Sequence, residues 1–443
     1  MKLPKTPPGL GEFWKNTDLL VKLMSHPTSH LINGKYLHWD KMRFYQPPGD
    51  LTHEEWWYAV KFRRMVQYKP LPLKDKSGAP FQFLFADPIP EMLHKIDLGA
   101  GGHIGMADQI TNPETRDQYY VSSLMDEAIT SSQLEGATTT RPIAKEMIRT
   151  GRPPRDRSER MILNNFLAMK RIHQLRDKPL TQELVLEIHR IVTDNALDDP
   201  TAAGRFRRAD EEVRVEGSYG EVYHTPPDAS ELDSRMDEMC KFANGESPGG
   251  FLYPVLRSIV LHFWLSYDHP FKDGNGRTAR AIFYWSMLKH GYWLCEFISI
   301  SQIIRKAPVK YGRAFLYSET DENDLTYFVL YHLEVIQRAI QELHDYITRK
   351  TNQLKKIEAE LRGIVVLNHR QRALVSHALR HPNARYTIEP HRTSHNVVYE
   401  TARTDLLDLR DRGLLTGLKV GNTWYFLPVS GIDEKLATLS ISP

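Results

Sequence analysis

Apolar residues recur at helical spacing through most of this chain. From Glu114 to Gly136 the pattern is helical, with Leu124, Ala128 and Ile129 on one face, and Gly136 is a residue type that often ends helices. Further helical patterns lie at about 157–176, 181–196, 229–243, 252–267, 279–288 and 324–361. The spacing therefore predicts a mainly α fold.

One segment alternates instead. Val213 and Val215 alternate with charged residues, and Gly217 and Gly220 offer a turn before Tyr223. Alternation around glycines is typical of a β-hairpin. We therefore expect a β-hairpin in this part of the helical region.

The pattern changes again after residue 363. A helix over Arg370–Arg380 is followed by Thr393-Ser394, an N-cap signal for a second helix that runs to Arg412. Val420-Gly421-Asn422 then reads as the turn between two short strands. Helices followed by a two-stranded wing predict a winged helix-turn-helix domain.

Length and composition limit the remaining classes of protein. A chain of 443 residues should hold two or three domains, and only two cysteines argue against a disulfide framework or a cysteine-based zinc site. The net charge of +3 argues against wholesale binding to nucleic acid or membranes. The start lacks the apolar core of a signal peptide, and no apolar run is long enough to span a bilayer, so we expect a cytoplasmic protein. The expected organisation is an N-terminal helical and irregular region at 1–112, a helical core at 113–345 with a helix at about 115–136, a linker helix at 346–363, the winged helix at 364–430 and a tail at 431–443.

The segment 269–280, His-Pro-Phe-Lys-Asp-Gly-Asn-Gly-Arg-Thr-Ala-Arg, lies between two predicted helices. The backbone N–H groups of Gly274, Asn275 and Gly276 would point outward at a helix N-terminus, where unpaired donors and the helix dipole favour an anion such as phosphate. Arg277 and Arg280 are three residues apart and can reach one face. Together these residues predict a phosphate-binding site.

Two more residues of the segment add reactive chemistry. Asp273 offers a hard oxygen ligand for Mg²⁺, and His269 can take a proton from a hydroxyl nucleophile near neutral pH. Phosphate binding beside a base indicates phosphoryl or nucleotidyl transfer. The segment is not a Walker A loop, since the chain has no GxxxxGK followed by Ser or Thr.

The segment resembles the complete signature of Fic-domain enzymes, His-Pro-Phe-x-Asp-Gly-Asn-Gly-Arg-x-x-Arg, and the helices at about 115–340 suit the helical Fic core. The resemblance implies transfer of AMP from ATP to a Ser, Thr or Tyr hydroxyl of a protein target or of the enzyme itself, with release of pyrophosphate. It implies that His269 is the general base and Asp273 the Mg²⁺ ligand. The remaining residues would bind ATP: Lys272, Asp273, Gly274, Asn275, Gly276, Arg277 and Arg280.

The hairpin is similar to the flap of this family, which clamps the target by strand addition. The flap residues so implied are Val222, Tyr223, His224 and Thr225. Gly276 favours AMP transfer, because the Doc-like kinases of the superfamily lack this second glycine.

A second string, Ser131-Ser132-Gln133-Leu134-Glu135-Gly136, resembles the inhibitory motif of the family: Ser or Thr, three variable residues, Glu, then Gly or Asn. Ser131, Glu135 and Gly136 occupy its fixed positions. At the end of a helix, Glu135 could pair with Arg280 and leave that arginine unable to hold the γ-phosphate. The resemblance thus predicts autoinhibition within one chain.

Two alternatives to an ATP-dependent adenylyltransferase remain open at this point. One is a DNA-binding regulator whose Fic core senses nucleotides with little turnover; the other is a Fic enzyme that uses another nucleotide donor. The winged helix carries Asn396, Tyr399, Arg403 and Arg410 but also Glu400, Asp405, Asp408 and Asp411, so DNA binding and protein docking weigh equally. A homodimer is also left open, and we expect no membrane partner.

Overall fold

The structure is a computed structural model. It describes the chain apart from residues 14–18, 20, 24, 25, 27, 102–112, 218, 219, 248, 249, 364–366, 382, 383, 421, 422, 433, 434 and 437–443. The described chain divides into two compact units: the first comprises Met1–Ile104 with Tyr120–Gln341, and the second comprises Gly105–Tyr119 with Glu342–Pro443.

Helices dominate the first unit, so the mainly α prediction is confirmed. Its N-terminal part holds α1 (Leu10–Phe13), α2 (Trp39–Met42), α3 (His53–Met65) and α4 (Ile89–Ile96), followed by a π-helical turn at Asp97–Gly101. The helices that follow in the chain are α5 (Pro113–Leu134), α6 (Arg141–Thr150), α7 (Arg157–Leu175), α8 (Gln182–Thr193), α9 (Leu232–Asn244), α10 (Pro254–Asp268), α11 (Asn275–Lys289), α12 (Ile300–Lys306), α13 (Pro308–Thr320) and α14 (Thr326–Gly363). The first residues of α5 and the last residues of α14 are counted in the second unit.

Side-chain caps explain several of these boundaries. The Asp156 side chain accepts the Glu159 N–H at the start of α7, and the Thr181 side chain accepts the Leu184 N–H at the start of α8. Such caps satisfy N–H groups that have no partner inside the helix. The linker helix predicted at 346–363 is the end of α14, which continues from Thr326 without a break.

The helices α10 and α11 form the centre of the unit. Nearly every residue of both is buried. α10 ends where His269 takes a left-handed conformation (φ 46°) ahead of Pro270, which cannot continue a helix. α11 begins at Asn275, four residues before the predicted start at Ala279, because Gly274 (φ 88°) turns the chain into it. The short connection between the two helices carries most of the 269–280 segment.

Each strand of the structure belongs to an antiparallel pair. In the first unit, β1 (Lys69–Lys74) pairs with β2 (Pro80–Phe83), and β3 (Val215–Glu216) pairs with β4 (Val222–His224). The β3–β4 hairpin was predicted. The β1–β2 pair corrects the expectation of only helices and irregular segments in 1–112. Its prolines are compatible with strand structure because a two-stranded ladder has only edge strands, whose outer N–H groups need no partner.

The second unit contains α15 (His369–Arg380), α16 (Ile388–His395), α17 (Tyr399–Asp411), β5 (Leu415–Val420) and β6 (Thr423–Pro428). β5 and β6 are antiparallel, as predicted; the turn at 421–422 lies outside the described residues, as does most of the tail at 431–443. The predicted helix start at Thr393-Ser394 is wrong. Both residues belong to the last turn of α16, which ends at the left-handed Asn396 (φ 49°), and α17 begins at Tyr399.

The acidic residues of α17 differ in their surroundings. Asp405 is 3% exposed and pairs with Arg370 at 2.7 Å and with His391 at 3.1 Å, so it does not contribute to the outer face of the helix. The winged-helix interpretation of this unit, and its choice between DNA and protein, stay predictions. No helix within the described ranges is long and apolar enough to cross a membrane.

Candidate functional site

The loop between α10 and α11 is closed by one asparagine. The Asn275 side chain accepts the Phe271 N–H at 2.9 Å and donates to the Phe271 carbonyl at 2.7 Å. Both polar groups of Asn275 are therefore directed at the backbone of the loop. Phe271 itself is fully buried and fixes the loop to the core.

His189 on α8 supports this loop, and the sequence analysis did not identify it. Its ring stacks on Phe271 with centroids 3.6 Å apart and planes 3° from parallel. Nδ1 accepts the Gly204 N–H at 2.9 Å, and Nε2 donates to the Asp273 carbonyl at 2.9 Å. Burial lowers the pKa of His189 to about 4, so the ring is neutral and uses one nitrogen as donor and one as acceptor. In the sequence it is one of several polar residues on an amphipathic helix, which gives no signal of a functional role.

Two glycines allow close approach at the start of α11. A Cβ on Gly274 would lie 2.7 Å from Thr193 Cγ2, and its φ of 88° already disfavours other residues. A Cβ on Gly276 would lie 2.2 Å from Glu135 Oε1. The space above Gly276 is therefore the position of the Glu135 carboxylate.

Arg277 lies under the loop with donors unused. It is 1% exposed, and its Nη1 donates to the Val192 carbonyl at 2.6 Å. Among the residues that the structure describes, its buried Nε and Nη2 have no hydrogen-bond partner, and Nη2 stands 3.7 Å from Asp273 Oδ1. Unpaired donors on a buried cation are costly, so this guanidinium is suited to an anionic ligand.

Arg280 and Glu135 form an ion pair at the same site. Arg280 Nη2 contacts Glu135 Oε1 at 2.7 Å, with the arginine side chain 2% exposed and the glutamate side chain 29% exposed. Arg280 also donates to Ser131 Oγ at 2.8 Å and to the Ser131 carbonyl at 3.1 Å. Burial tends to raise the pKa of Glu135, but the charge and hydrogen bond of Arg280, with a smaller effect of Arg277, hold this pKa below its usual value. Glu135 is thus ionised at neutral pH.

Gly136, the last fixed position of the predicted inhibitory string, follows Glu135 with φ 92° and ends α5 in a left-handed turn. A glycine takes this conformation without the steric cost of a Cβ.

His269 directs one ring nitrogen to the protein. Its Nδ1 lies 3.2 Å from the Ser266 carbonyl and donates to it. Burial lowers the pKa of His269 to about 4, so the ring is neutral at physiological pH. Nε2 has no hydrogen-bond partner among the described residues, and its lone pair can accept a proton. Arg207, also not identified from sequence, fixes this turn by donating from Nε to the His269 carbonyl at 3.0 Å and from its backbone N–H to the Pro270 carbonyl at 2.8 Å.

Asp273 could hold a metal together with a ligand. Its Oδ1 accepts the Gly274 N–H at 2.5 Å, its Oδ2 lies 3.5 Å from Arg157 Nη2, and its side chain is 45% exposed. Within the described ranges, no cluster of three or more His, Cys, Asp or Glu could hold a metal. A single accessible carboxylate fits Mg²⁺, which keeps several waters and commonly binds substrate phosphates with one or two carboxylates.

Lys272 is held by two carboxylates. Its ammonium group lies 3.3 Å from Asp199 Oδ2 and 3.8 Å from Glu211 Oε1. Contact with a nucleotide would require the side chain to leave these two carboxylates.

The four hairpin residues differ in exposure. Val222 and Thr225 are exposed, and Tyr223 is half-buried with its hydroxyl against the Met1 backbone. His224 is 8% exposed and lies 2.7 Å from both Glu319 Oε2 and the Tyr267 carbonyl. His224 therefore connects the hairpin to the helices beneath it, and only its neighbours face outward.

The fold and the site define a helical protein in which a glycine-rich loop, two buried arginines and a neutral histidine share one segment. The Fic/DOC family model matches residues 179–287. The proteins named Protein adenylyltransferase Fic from Drosophila grimshawi and Drosophila melanogaster are each 35% identical to the chain over 133 residues, which is 30% of this chain and 25% of theirs. The chain thus spans about a quarter of the length of the curated relatives it matches. The crystal structure of a Fic family protein from Desulfovibrio desulfuricans G20 shares the fold with a TM-score of 0.53 at 18% identity, covering 78% of this chain and 98% of that chain.

Residues 179–287 of the chain are thus similar to the Fic/DOC family. The matched region begins just before α8 and ends near the end of α11, so it contains His189, the loop and both arginines.

Proposed function

We propose that this protein is an adenylyltransferase that transfers AMP from ATP to a hydroxyl of a protein target and of itself, and that it is autoinhibited. The observation that carries the proposal is that Nε and Nη2 of the buried Arg277 have no hydrogen-bond partner among the described residues, on the same segment as His269, whose ring is neutral. The similarity to adenylyltransferases over 133 residues supports the choice of AMP as the transferred group.

In the proposed reaction, His269 Nε2 removes the proton from the target hydroxyl. The hydroxyl oxygen forms a bond to the α-phosphorus of ATP, the bond between that phosphorus and the α,β-bridging oxygen breaks, and pyrophosphate leaves. The backbone at Gly274–Gly276 and the Arg277 guanidinium would hold the phosphates in line for this displacement. Mg²⁺ at Asp273 would neutralise part of the phosphate charge when bound.

The proposed inhibition follows from the position of Glu135. Its carboxylate lies against Gly276 and on Arg280, both assigned to the phosphates. A carboxylate there repels a phosphate and occupies the arginine that would hold the γ-phosphate, so bound ATP would be misaligned. Keeping 99% of the molecules inhibited requires only about 2.7 kcal/mol, since each factor of ten is ~1.4 kcal/mol.

The test is self-modification with labelled ATP by Glu135→Gly and by the wild-type protein. We expect the variant to incorporate label faster, and mass spectrometry after incubation with several nucleotides identifies the donor and the modified residue. The matched control is Glu146→Gly, which removes an exposed glutamate of α6 that pairs with Arg152, and this variant should behave as wild type. Equal labelling by Glu135→Gly and wild type would refute the autoinhibition, and transfer of another group in preference to AMP would refute the donor.

A further inference from the structure

The helix that carries Glu135 is anchored to the core by a second buried carboxylate. Glu127 lies on α5, eight residues before Glu135, which directly follows the last residue of the helix; eight residues span about 12 Å at 1.5 Å per residue. It is 2% exposed, although a glutamate is rarely buried without partners. Nothing in the proposed transfer reaction uses it.

Four donors surround the Glu127 carboxylate. Oε2 accepts from Ser299 Oγ at 2.7 Å, from Tyr284 Oη at 3.0 Å and from the Ser301 N–H at 3.1 Å, and Oε1 accepts from Ser301 Oγ at 2.5 Å. A carboxylate without its proton is an acceptor only, and four donors match that form. The group is therefore fully satisfied by residues outside α5.

One of these donors belongs to the helix that Glu135 blocks. Tyr284 lies on α11, four residues after Arg280, so both carboxylates of α5 bind α11 about one turn apart along it. The other donors, Ser299 and Ser301, lie at the start of α12. Glu127 thus fixes α5 to two helices, whereas Glu135 holds α11 only through a carboxylate that is 29% exposed.

We propose that Glu127 is a positioning residue of the autoinhibition: it holds α5 in the register that places Glu135 on Arg280. The inference rests on the proposed function, because it assigns Glu127 to the regulation of the same site. Loss of the anchor frees the end of α5 and lowers the fraction of molecules in which Glu135 covers Gly276. Glu127 touches neither ATP nor the base, so its effect passes only through Glu135.

The experiment compares Glu127→Gln in the wild-type protein and in Glu135→Gly. Glutamine keeps the shape of the side chain but turns an amide N–H₂ towards groups that are themselves donors. Loss of hydrogen bonds to a charged group weakens the anchor, and we expect self-modification with labelled ATP to rise roughly tenfold. In the Glu135→Gly background the same substitution should change the rate less than twofold. The matched control is Asp126→Asn, the same chemical change on the neighbouring residue, whose carboxylate pairs with Arg141 and Lys145 on α6.

The results distinguish a positioning role of Glu127 in the inhibition from a general role in supporting the core. An unchanged or lower rate in Glu127→Gln, or an equal change in both backgrounds, overturns the positioning role, because a residue that only supports the core affects both alike. If Glu135→Gly itself shows no gain, the proposed inhibition fails. The anchor is then tested by hydrogen exchange, in which amides 128–135 should exchange faster in Glu127→Gln than in Asp126→Asn. Ser301→Ala, which removes the donor to Oε1, repeats the test with a smaller expected gain if Glu127→Gln does not fold.

Discussion

Replacement of Gly276 by alanine should change stability in opposite directions in two backgrounds. In the wild-type protein the new Cβ would lie 2.2 Å from Glu135 Oε1, more than 1 Å inside the 3.4 Å of ordinary contact, so the carboxylate must leave Arg280. A hydrogen bond to a charged group contributes about 1.5–3 kcal/mol, and partial exposure of Glu135 places its loss at the lower end. Alanine in a helix gains about 0.5–1 kcal/mol over glycine. The net expectation is a loss of about 1 kcal/mol.

In Glu135→Gly no carboxylate occupies that space, and the new Cβ would meet Arg280 Nη1 at 3.1 Å, the end of a flexible side chain that can move, so the helical gain should prevail. Gly276→Ala should then stabilise the protein by about 0.5–1 kcal/mol. The measurement is urea denaturation of the four proteins of this double-mutant cycle, which isolates the contact between the two positions. The same free energy change in both backgrounds would show that Glu135 does not lie on Gly276. Gly276→Ala should lose the inhibitory contact between Glu135 and Arg280. It should nevertheless remain inactive in self-modification, because the new methyl group occupies the space that the phosphate needs.

Three further predictions concern the loop and its support. His269→Ala in the Glu135→Gly background should lower AMP transfer by a factor of about 10²–10⁴ with an unchanged circular dichroism spectrum, and retained turnover would remove this residue as the base. Gly274→Ala should destabilise the protein by about 2–4 kcal/mol in urea denaturation, from its positive φ and the contact with Thr193; a change below 1 kcal/mol would contradict the packing there. His189, with a folded pKa of about 4 and an unfolded value near 6.5, is protonated more readily in the unfolded chain, so it lowers stability as pH falls from 6.5 to 4, by about 1.4 kcal/mol per pH unit. In His189→Gln the free energy of unfolding should therefore fall less steeply as the pH is lowered from 6.5 to 4. If the free energy of unfolding depends on pH equally in variant and wild type, the assigned burial of His189 is contradicted.

The helices could be predicted because burial of one face fixes the spacing of apolar residues. The N-terminal β1–β2 pair was missed although Leu71 and Leu73 are buried in alternation, because the prolines at 70 and 72 argue against a strand. The start of α17 was misplaced for a related reason. Thr393 and Ser394 are good capping residues in isolation, but the left-handed Asn396 after them decides where one helix ends and the next begins.

The candidate site was predictable where its residues are consecutive. The 269–280 segment and Glu135 could be identified as motifs, and the structure brings Glu135 to Arg280 from 145 residues away. His189 and Arg207 were missed because their roles depend on contacts with a loop that lies 60 or more residues later in the chain. The residues next to His189 and Arg207 in the sequence do not indicate such contacts. From sequence alone, these two residues cannot be distinguished from other histidines and arginines.

The two hydrogen bonds between Asn275 and the Phe271 backbone have a thermodynamic consequence. They order the loop during folding, so the conformational entropy of its five residues is already lost before any nucleotide arrives. A ligand that meets a preorganised backbone loses little further entropy on binding. Nucleotide binding to the Glu135→Gly variant should accordingly be driven by enthalpy without a large ordering penalty, and its association rate should not depend on a folding step of the loop.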